Sequence, residues 1–187
     1  MTADRITQRP LFDIFRPRQV IHRLAQLDCA ALVARGIHGV ILDLDNTITP
    51  WHSMVITPEV ERWIGRLRGA GLQACVVSNA ATAGRVRPVA ERLGLPWVTR
   101  AGKPLARGFQ RGMRLMGTVP ETTAMVGDQM FTDIYGGNHL GLFTVLVEPI
   151  STREAIFTRL VQRPLERLIG RTPKGVSPEV GVSVPPA

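Results

Sequence analysis

The residues that could do chemistry stand at the end of one short apolar run. Val40-Ile41-Leu42 leads into Asp43 and Asp45, two carboxylates spaced i, i+2, followed by Asn46 and Thr47. So short a run of branched residues reads as a buried strand rather than a helix. In a parallel α/β sheet, ligands bind outside the carboxyl ends of the strands. A carboxylate at that place can be a nucleophile, a proton donor or a metal ligand. The stretch from Gly39 to Thr47 fits equally well a strand that runs into an Asx turn, with Asp45 or Asn46 capping backbone groups. Taken alone, it leaves both readings open.

Three later strand ends carry polar residues of the same kind. Ser78-Asn79 closes the second apolar run, Lys103 lies just beyond the third, and Asp128 follows the fourth, with Asp133 five residues on. Each has a plain structural alternative: Ser78-Asn79 a turn or helix cap, Lys103 a solvated side chain, Asp128 another Asx turn. Composition weighs against the plain reading of Lys103. Of 23 basic residues only Lys103 and Lys174 are lysine, and Lys174 lies in a proline-rich tail. A chain that otherwise uses Arg thus has a compact point charge, rather than a planar fork, at the cationic position that faces the presumed site.

The elements that must position these groups follow from periodicity. Val20, Ile21, Leu24 and Leu27 have helical spacing, so a helix is expected over roughly 18–34, ended by Gly36. The strand at 39–42 comes next, then a loop from Ile48 to Thr57 that projects from the sheet mouth. Thr57 as N-cap, Pro58 at N1 and Glu59 and Glu61 in the first turn start a second helix. Its apolar stripe is Val60, Trp63, Ile64 and Leu67. A strand is expected over 72–77, a helix over about 83–93 in which Pro88 forces a later start or a kink, and a short strand over 97–99. Lys103-Pro104 opens a helix with Leu105, Phe109, Met113 and Met116 on one face. A strand over 122–126, a short helix near 132–140 and a strand over 142–147 complete the series. Strands alternating with helices predict an α/β fold, a Rossmann-like parallel sheet with helices on both faces.

Composition bounds what else the chain could be. Its 187 residues suit one domain with terminal extensions, and 44% hydrophobic residues suffice for a core. Cys29 and Cys75 are far apart in apolar contexts, which suggests reduced core thiols rather than a disulfide or zinc frame. No apolar h-region opens the sequence and no run of about 18 apolar residues occurs, so neither a signal peptide nor a membrane span is expected. The net charge of +8 is concentrated at the ends, with +3 in 1–38 and +3 in 151–187. This suits an anionic partner, or simply solubility. The expected organisation is a basic helical lead-in over 1–38, a catalytic core over 39–150, a basic amphipathic helix over 151–171 and a disordered tail over 172–187.

Together the polar positions resemble the four motifs of the haloacid dehalogenase superfamily of phosphohydrolases. DxDxT appears as Asp43-Leu44-Asp45-Asn46-Thr47, the second motif as Ser78, the isolated lysine as Lys103, and GDxxxxD as Gly127-Asp128 to Asp133. The resemblance implies that Asp43 attacks phosphorus and forms an aspartyl-phosphate, and that Asp45 protonates the leaving oxygen and then activates water. It implies Mg2+ held by Asp43, the Leu44 carbonyl and Asp128. Asp45 and Asp133 border the ion, Asp133 orienting Lys103 or metal-bound water. Ser78, with Asn79, holds phosphoryl oxygens, and Lys103 neutralises their charge. A carboxylate at Asp45 marks a phosphatase, since dehalogenases of the superfamily lack one there.

Only 32 residues separate Asp45 from Ser78 and 24 separate Ser78 from Lys103. Neither gap holds a cap domain of the kind many members carry, so an open site is expected. The wider sequence is similar to subfamily IIIA, the YqeG-like group that includes phosphatidylglycerophosphate phosphatases. The similarity rests on Arg100-Ala101-Gly102-Lys103-Pro104, Gly127-Asp128-Gln129-Met130-Phe131-Thr132-Asp133 and Gly136-Gly137-Asn138. Leu44 departs from the Lys that eukaryotic lipid phosphatases of the group tend to have. The expected partner is a phosphorylated substrate, either a lipid head group or a small phosphomonoester. Residues 151–171 interleave seven large apolar residues with five Arg, a pattern that suits peripheral contact with an anionic membrane from the cytoplasmic side or packing on the sheet edge. Nucleic acid is disfavoured, because charge is the one feature that points to it.

Overall fold

The computed structural model describes residues 13–148 and 180–181. Strands β1 (Gln19–Ile21), β2 (Gly39–Leu42), β3 (Gln73–Val77), β4 (Trp97–Val98), β5 (Thr123–Gly127), β6 (Phe143–Val147) and β7 (Val180–Gly181) form one sheet. Its order is β1-β6-β5-β2-β3-β4-β7, parallel throughout except for β7, which runs antiparallel to β4. Helices α1 (Cys29–Ala34), α2 (Pro58–Gly69), α3 (Ala83–Leu93), α4 (Ala106–Met116) and α5 (Gly136–His139) cover it. Because β2 is buried on both faces, its residues Val40, Ile41 and Leu42 are all fully inaccessible to solvent, as a near-continuous apolar run in a parallel sheet requires.

Alternation along β2 divides the core. Val40 and Leu42 pack with Trp63, Ile64 and Leu67 of α2 and Val86, Val89 and Leu93 of α3. Ile41 points to the other face, to Phe109, Met113 and Met116 of α4. Gly108 lets α4 lie close to the chain that carries Lys103, since a Cβ there would stand 2.5 Å from the Ala101 carbonyl oxygen. From β2 the chain winds outward through β3 and β4, then crosses back to β5 and β6 on the other side. The crevice at this reversal of strand order is where such sheets bind ligands. The described segment between Asp45 and Ser78 holds a loop, α2 and β3, and that between Ser78 and Lys103 holds α3 and β4.

Four expectations change. The helix expected over 18–34 is three elements: β1, a 3-10 turn at Leu24–Gln26, and α1 capped by Asp28, which accepts from Ala30 N–H at 2.9 Å. Val20 and Ile21 are drawn into an edge strand by ladder pairing with Leu146 and Val147. The helical spacing therefore arose from a strand and a turn that bury Ile21, Leu24 and Leu27 in one core. Pro88 does not delay α3, which starts at Ala83 and runs through it to Leu93 with Pro88 on its exposed side. Leu105 is not part of α4's apolar face but caps its start and is exposed. Within the tail expected to be disordered, Val180 and Gly181 pair with Val98 and Trp97. The amphipathic helix expected over 151–171 lies outside the described residues.

Candidate active site

The register of the sheet sets the site. Leu42 is level with Val76 of β3 and Val126 of β5, so the next residue, Asp43, stands at the edge with Ser78 and Asp128 just beyond it on either flank. Asp43 N–H donates to the Val126 carbonyl at 2.9 Å, which fixes the backbone from which the carboxylate projects. Lys103, reached after β4, brings Nζ to 2.6 Å from Asp43 Oδ1 and 2.7 Å from Asp133 Oδ1. All three side chains are buried.

Asp133 is delivered by one turn of π-helix, Met130–Tyr135, a wide turn that recurs at functional sites. Its Oδ2 accepts from Gln129 N–H at 3.1 Å and its Oδ1 lies 3.4 Å from Thr132 Oγ1. Both oxygens are thus engaged on this chain. Gly127 is required by the same packing: a Cβ there would lie 2.2 Å from Asp133 Oδ2. The glycine of the GDxxxxD pattern therefore makes room for its last aspartate.

Asp43, Asp128 and Asp133 present carboxylate oxygens within 4.8 Å of one another, all buried, against one ammonium. Burial raises Asp43 to about 6, with Lys103 opposing and Asp133 and Asp45 adding to the rise. Burial likewise raises Asp128 to about 8, with Asp43 and Asp133 adding their repulsion. For Lys103 burial works against the charged form, but Asp133 and Asp43 outweigh it and shift the ammonium above its ordinary value. Asp128 Oδ2 accepts from Asn46 Nδ2 at 2.9 Å, while its Oδ1 is buried without a partner. An unpartnered carboxylate oxygen in an over-negative cluster of hard oxygen donors fits a divalent cation such as Mg2+.

Two residues placed at that ion by the sequence face elsewhere. The Leu44 carbonyl already accepts from Ile48 N–H at 3.0 Å and Thr49 N–H at 3.1 Å, the turn that starts the following loop. Asp45 has its Oδ2 on Arg85 at 2.5 Å and its Oδ1 on His52 N–H at 3.1 Å, so neither oxygen is free for the cluster. Asn79 does not present its amide to a substrate. Its oxygen accepts from Lys103 N–H at 2.8 Å and its Nδ2 donates to the Lys103 carbonyl at 2.9 Å, clamping the backbone on both sides of the lysine. Ser78 is buried beside it, its Oγ accepting from Ala80 N–H at 3.1 Å.

Sequence reasoning missed Arg85 and the side chain of Asn46. Arg85 had one visible signal: it is a cation in the first turn of a helix whose first turn has no acidic residue, against the sense of the helix dipole. A cleft of about 450 Å³ also opens beside Ile37, Glu121 and Phe143, at the amino-terminal edge of the sheet. It lies away from the carboxylates and includes none of the clustered groups.

Residues 51–141 match the family described as haloacid dehalogenase-like hydrolase, and residues 6–92 match that described as mitochondrial PGP phosphatase. Over 155 residues the chain is 34% identical to the probable phosphatase YqeG of Bacillus subtilis, spanning 83% of this chain and 89% of that protein. It is 31% identical over 158 residues to phosphatidylglycerophosphate phosphatase 1, chloroplastic/mitochondrial, of Arabidopsis thaliana, spanning 80% of this chain and 45% of that one. With the chloroplastic phosphatidylglycerophosphate phosphatase 1 of Chlamydomonas reinhardtii it shares 30% identity over 151 residues, 76% of this chain and 56% of that one. The chain thus spans about half the length of these two photosynthetic relatives.

Proposed function

The chain belongs to the haloacid dehalogenase-like hydrolases, in the group of YqeG and the phosphatidylglycerophosphate phosphatases, and on that premise we propose that it is a Mg2+-dependent phosphomonoesterase with Asp43 as nucleophile. The observation that carries this reading is the buried contact of Asp43 with Lys103 beside Asp128 and Asp133. With a pKa of about 6, Asp43 is ionised at neutral pH despite its burial. A carboxylate oxygen of Asp43 bonds to phosphorus as the bond from phosphorus to the alcohol oxygen breaks. Asp45, ion-paired with Arg85 as it stands, takes up a proton from solvent, gives it to that departing oxygen, and then takes one from the attacking water. The water oxygen bonds to phosphorus, phosphate leaves, and the Asp43 carboxylate is restored.

Lys103 neutralises phosphoryl charge, and the Asn79 clamp and Asp133 hold it in place. Ser78 Oγ already accepts a backbone bond, which leaves its own O–H proton for a phosphoryl oxygen. Asp43 and Asp128 are the residues that would hold Mg2+, with Asn46 supporting Asp128. The ion, when bound, offsets repulsion between the carboxylates and the incoming phosphate.

The reading extends to substrate. The names of the relatives, the lack of a cap among the described residues and an apolar rim together favour phosphatidylglycerophosphate taken from a membrane surface. The rim is Trp51, Met54 and Val55, all exposed in the loop that follows Asp45, and exposed Leu105 two residues after Lys103. Among the described residues no helix is long and apolar enough to cross a membrane. The test is phosphate release with Mg2+ from phosphatidylglycerophosphate in vesicles, set beside sugar, nucleotide and phosphopeptide esters. Turnover of the lipid well above the others supports the assignment; a preference for any small ester overturns the lipid part and leaves a phosphatase of soluble substrates.

A further inference from the structure

Arg85 and Asp45 form an ion pair at 2.5 Å between side chains that are only 27% and 15% exposed, sheltered enough for the attraction to escape most solvent screening. The second Asp45 oxygen is fixed by His52 N–H at 3.1 Å. His52 has φ 56, in the left-handed region, which few residues other than Gly occupy, His being among the more tolerant of them. The carboxylate is therefore held at both oxygens, by a helix on one side and a constrained loop on the other.

Nothing local to α3 favours a cation at Arg85. It lies in the first turn, Thr82 contributes no side-chain cap, and no acid stands nearby in that turn, so the helix dipole opposes its charge. One of its nitrogens, NH1, is buried without a partner, a further cost. The other arginines of α3 take different acids: Arg87 pairs with Glu91 at 2.7 Å and Arg92 with Glu61 at 2.7 Å. Arg85 alone turns towards the site, against its helix, and its return for doing so is the contact with Asp45.

Resting on the phosphatase reading above, we propose that Arg85 is a positioning residue for the acid/base step, orienting the Asp45 carboxyl towards the departing oxygen of the substrate. In that step the bond from an Asp43 oxygen to phosphorus forms and the bond from phosphorus to the alcohol oxygen breaks. Asp45, having taken up a proton from water on the oxygen that turns from His52 N–H to the substrate, passes that proton to the departing oxygen. The demand for the proton depends on the leaving group. An alkoxide needs it; a nitrophenolate departs without it. A residue that acts through Asp45 therefore matters for one class of ester and little for the other, whereas a residue that only supports the fold affects both alike.

The experiment compares kcat/KM for glycerol 1-phosphate and p-nitrophenyl phosphate, with Mg2+, in wild type, Arg85→Ala, Arg85→Lys, Asp45→Asn and Arg85→Ala/Asp45→Asn. Melting curves identify which variants are folded, and Arg85→Lys carries the comparison if Arg85→Ala is not. The expected result is a loss of up to about 10²-fold on the alkyl ester for Arg85→Ala, a much smaller loss on the aryl ester, and partial recovery in Arg85→Lys. On the Asp45→Asn background, Arg85→Ala should add no further loss, because the two residues then act as one unit. Equal fractional losses on both esters, or a full additional loss in the double variant, would overturn the assignment to Arg85. Release that is the same in wild type and Asp43→Asn would instead overturn the phosphatase reading beneath it.

Discussion

Lys103 Nζ stands 2.6 Å from Asp43 Oδ1, with the two side chains 2% and 7% exposed, so the proposed nucleophile and its counter-charge are buried as a pair. The same ammonium serves Asp133 at 2.7 Å. Removing one partner of a buried ion pair strands the other charge. Lys103→Met should therefore abolish phosphate release and cost about 3–5 kcal/mol of stability in urea titrations near neutral pH. The stability loss should shrink at pH 5, where Asp43, already raised to about 6, can take up a proton. Lys103→Arg should not restore activity, since a planar fork does not replace a point charge in a closed space.

Gly127→Ala tests whether the GDxxxxD glycine acts through Asp133. A Cβ placed 2.2 Å from Asp133 Oδ2 must push that side chain away from Lys103 or strain β5. The expected outcome is a loss of about 1–3 kcal/mol, the range for overpacking a core, with activity falling further than the melting temperature alone explains. A crystal structure of the variant showing Asp133 undisplaced would contradict this.

Much of this arrangement was legible in the sequence, because parallel-strand ends are marked by abrupt changes from apolar to polar residues. The runs ending at Leu42, Val77 and Val126 located Asp43, Ser78 and Asp128 at one edge. What was not legible came from tertiary pairing. Val20 and Ile21 joined an edge strand through partners more than 120 residues away, so local spacing suggested a helix instead. The commitments of Leu44, Asn79 and Asp45 to other backbone and side-chain groups depend on how the loops fold back. Arg85 escaped notice for the same reason, since its partner lies 40 residues earlier in the chain.

Metal binding should depend on pH in a direction set by Asp128. Its pKa rises from 3.8 to about 8 in the folded, metal-free chain, so below that value it must give up a proton before it can act as a ligand. Mg2+ affinity should rise as pH increases towards about 8 and then level off, with proton release visible by calorimetry in buffers of different ionisation heat. The linked stability effect has the opposite sense. A carboxyl raised on folding binds more protons in the native state, so its contribution is complete below about 4 and is lost as pH rises through about 8. The metal-free protein should therefore lose stability across that window, and added Mg2+ should reduce the loss.

Asn46 supports Asp128 at 2.9 Å and adopts φ 58, a backbone conformation that glycine tolerates without strain. Asn46→Gly thus removes the side chain while keeping the turn. Loss of an outer partner of a metal ligand lowers affinity by about 10–100-fold. Mg2+ titration should show a drop of that order, with the melting temperature of the metal-free protein little changed. Unchanged affinity would remove Asn46 from the site.

The most direct test of the central claim is phosphate release from phosphatidylglycerophosphate vesicles with Mg2+, wild type against Asp43→Asn. The substitution keeps the size of the side chain and removes its charge. The predicted result is turnover by wild type and none above background for Asp43→Asn in a folded protein. Release by Asp43→Asn at the wild-type rate would contradict the account of Asp43 as nucleophile.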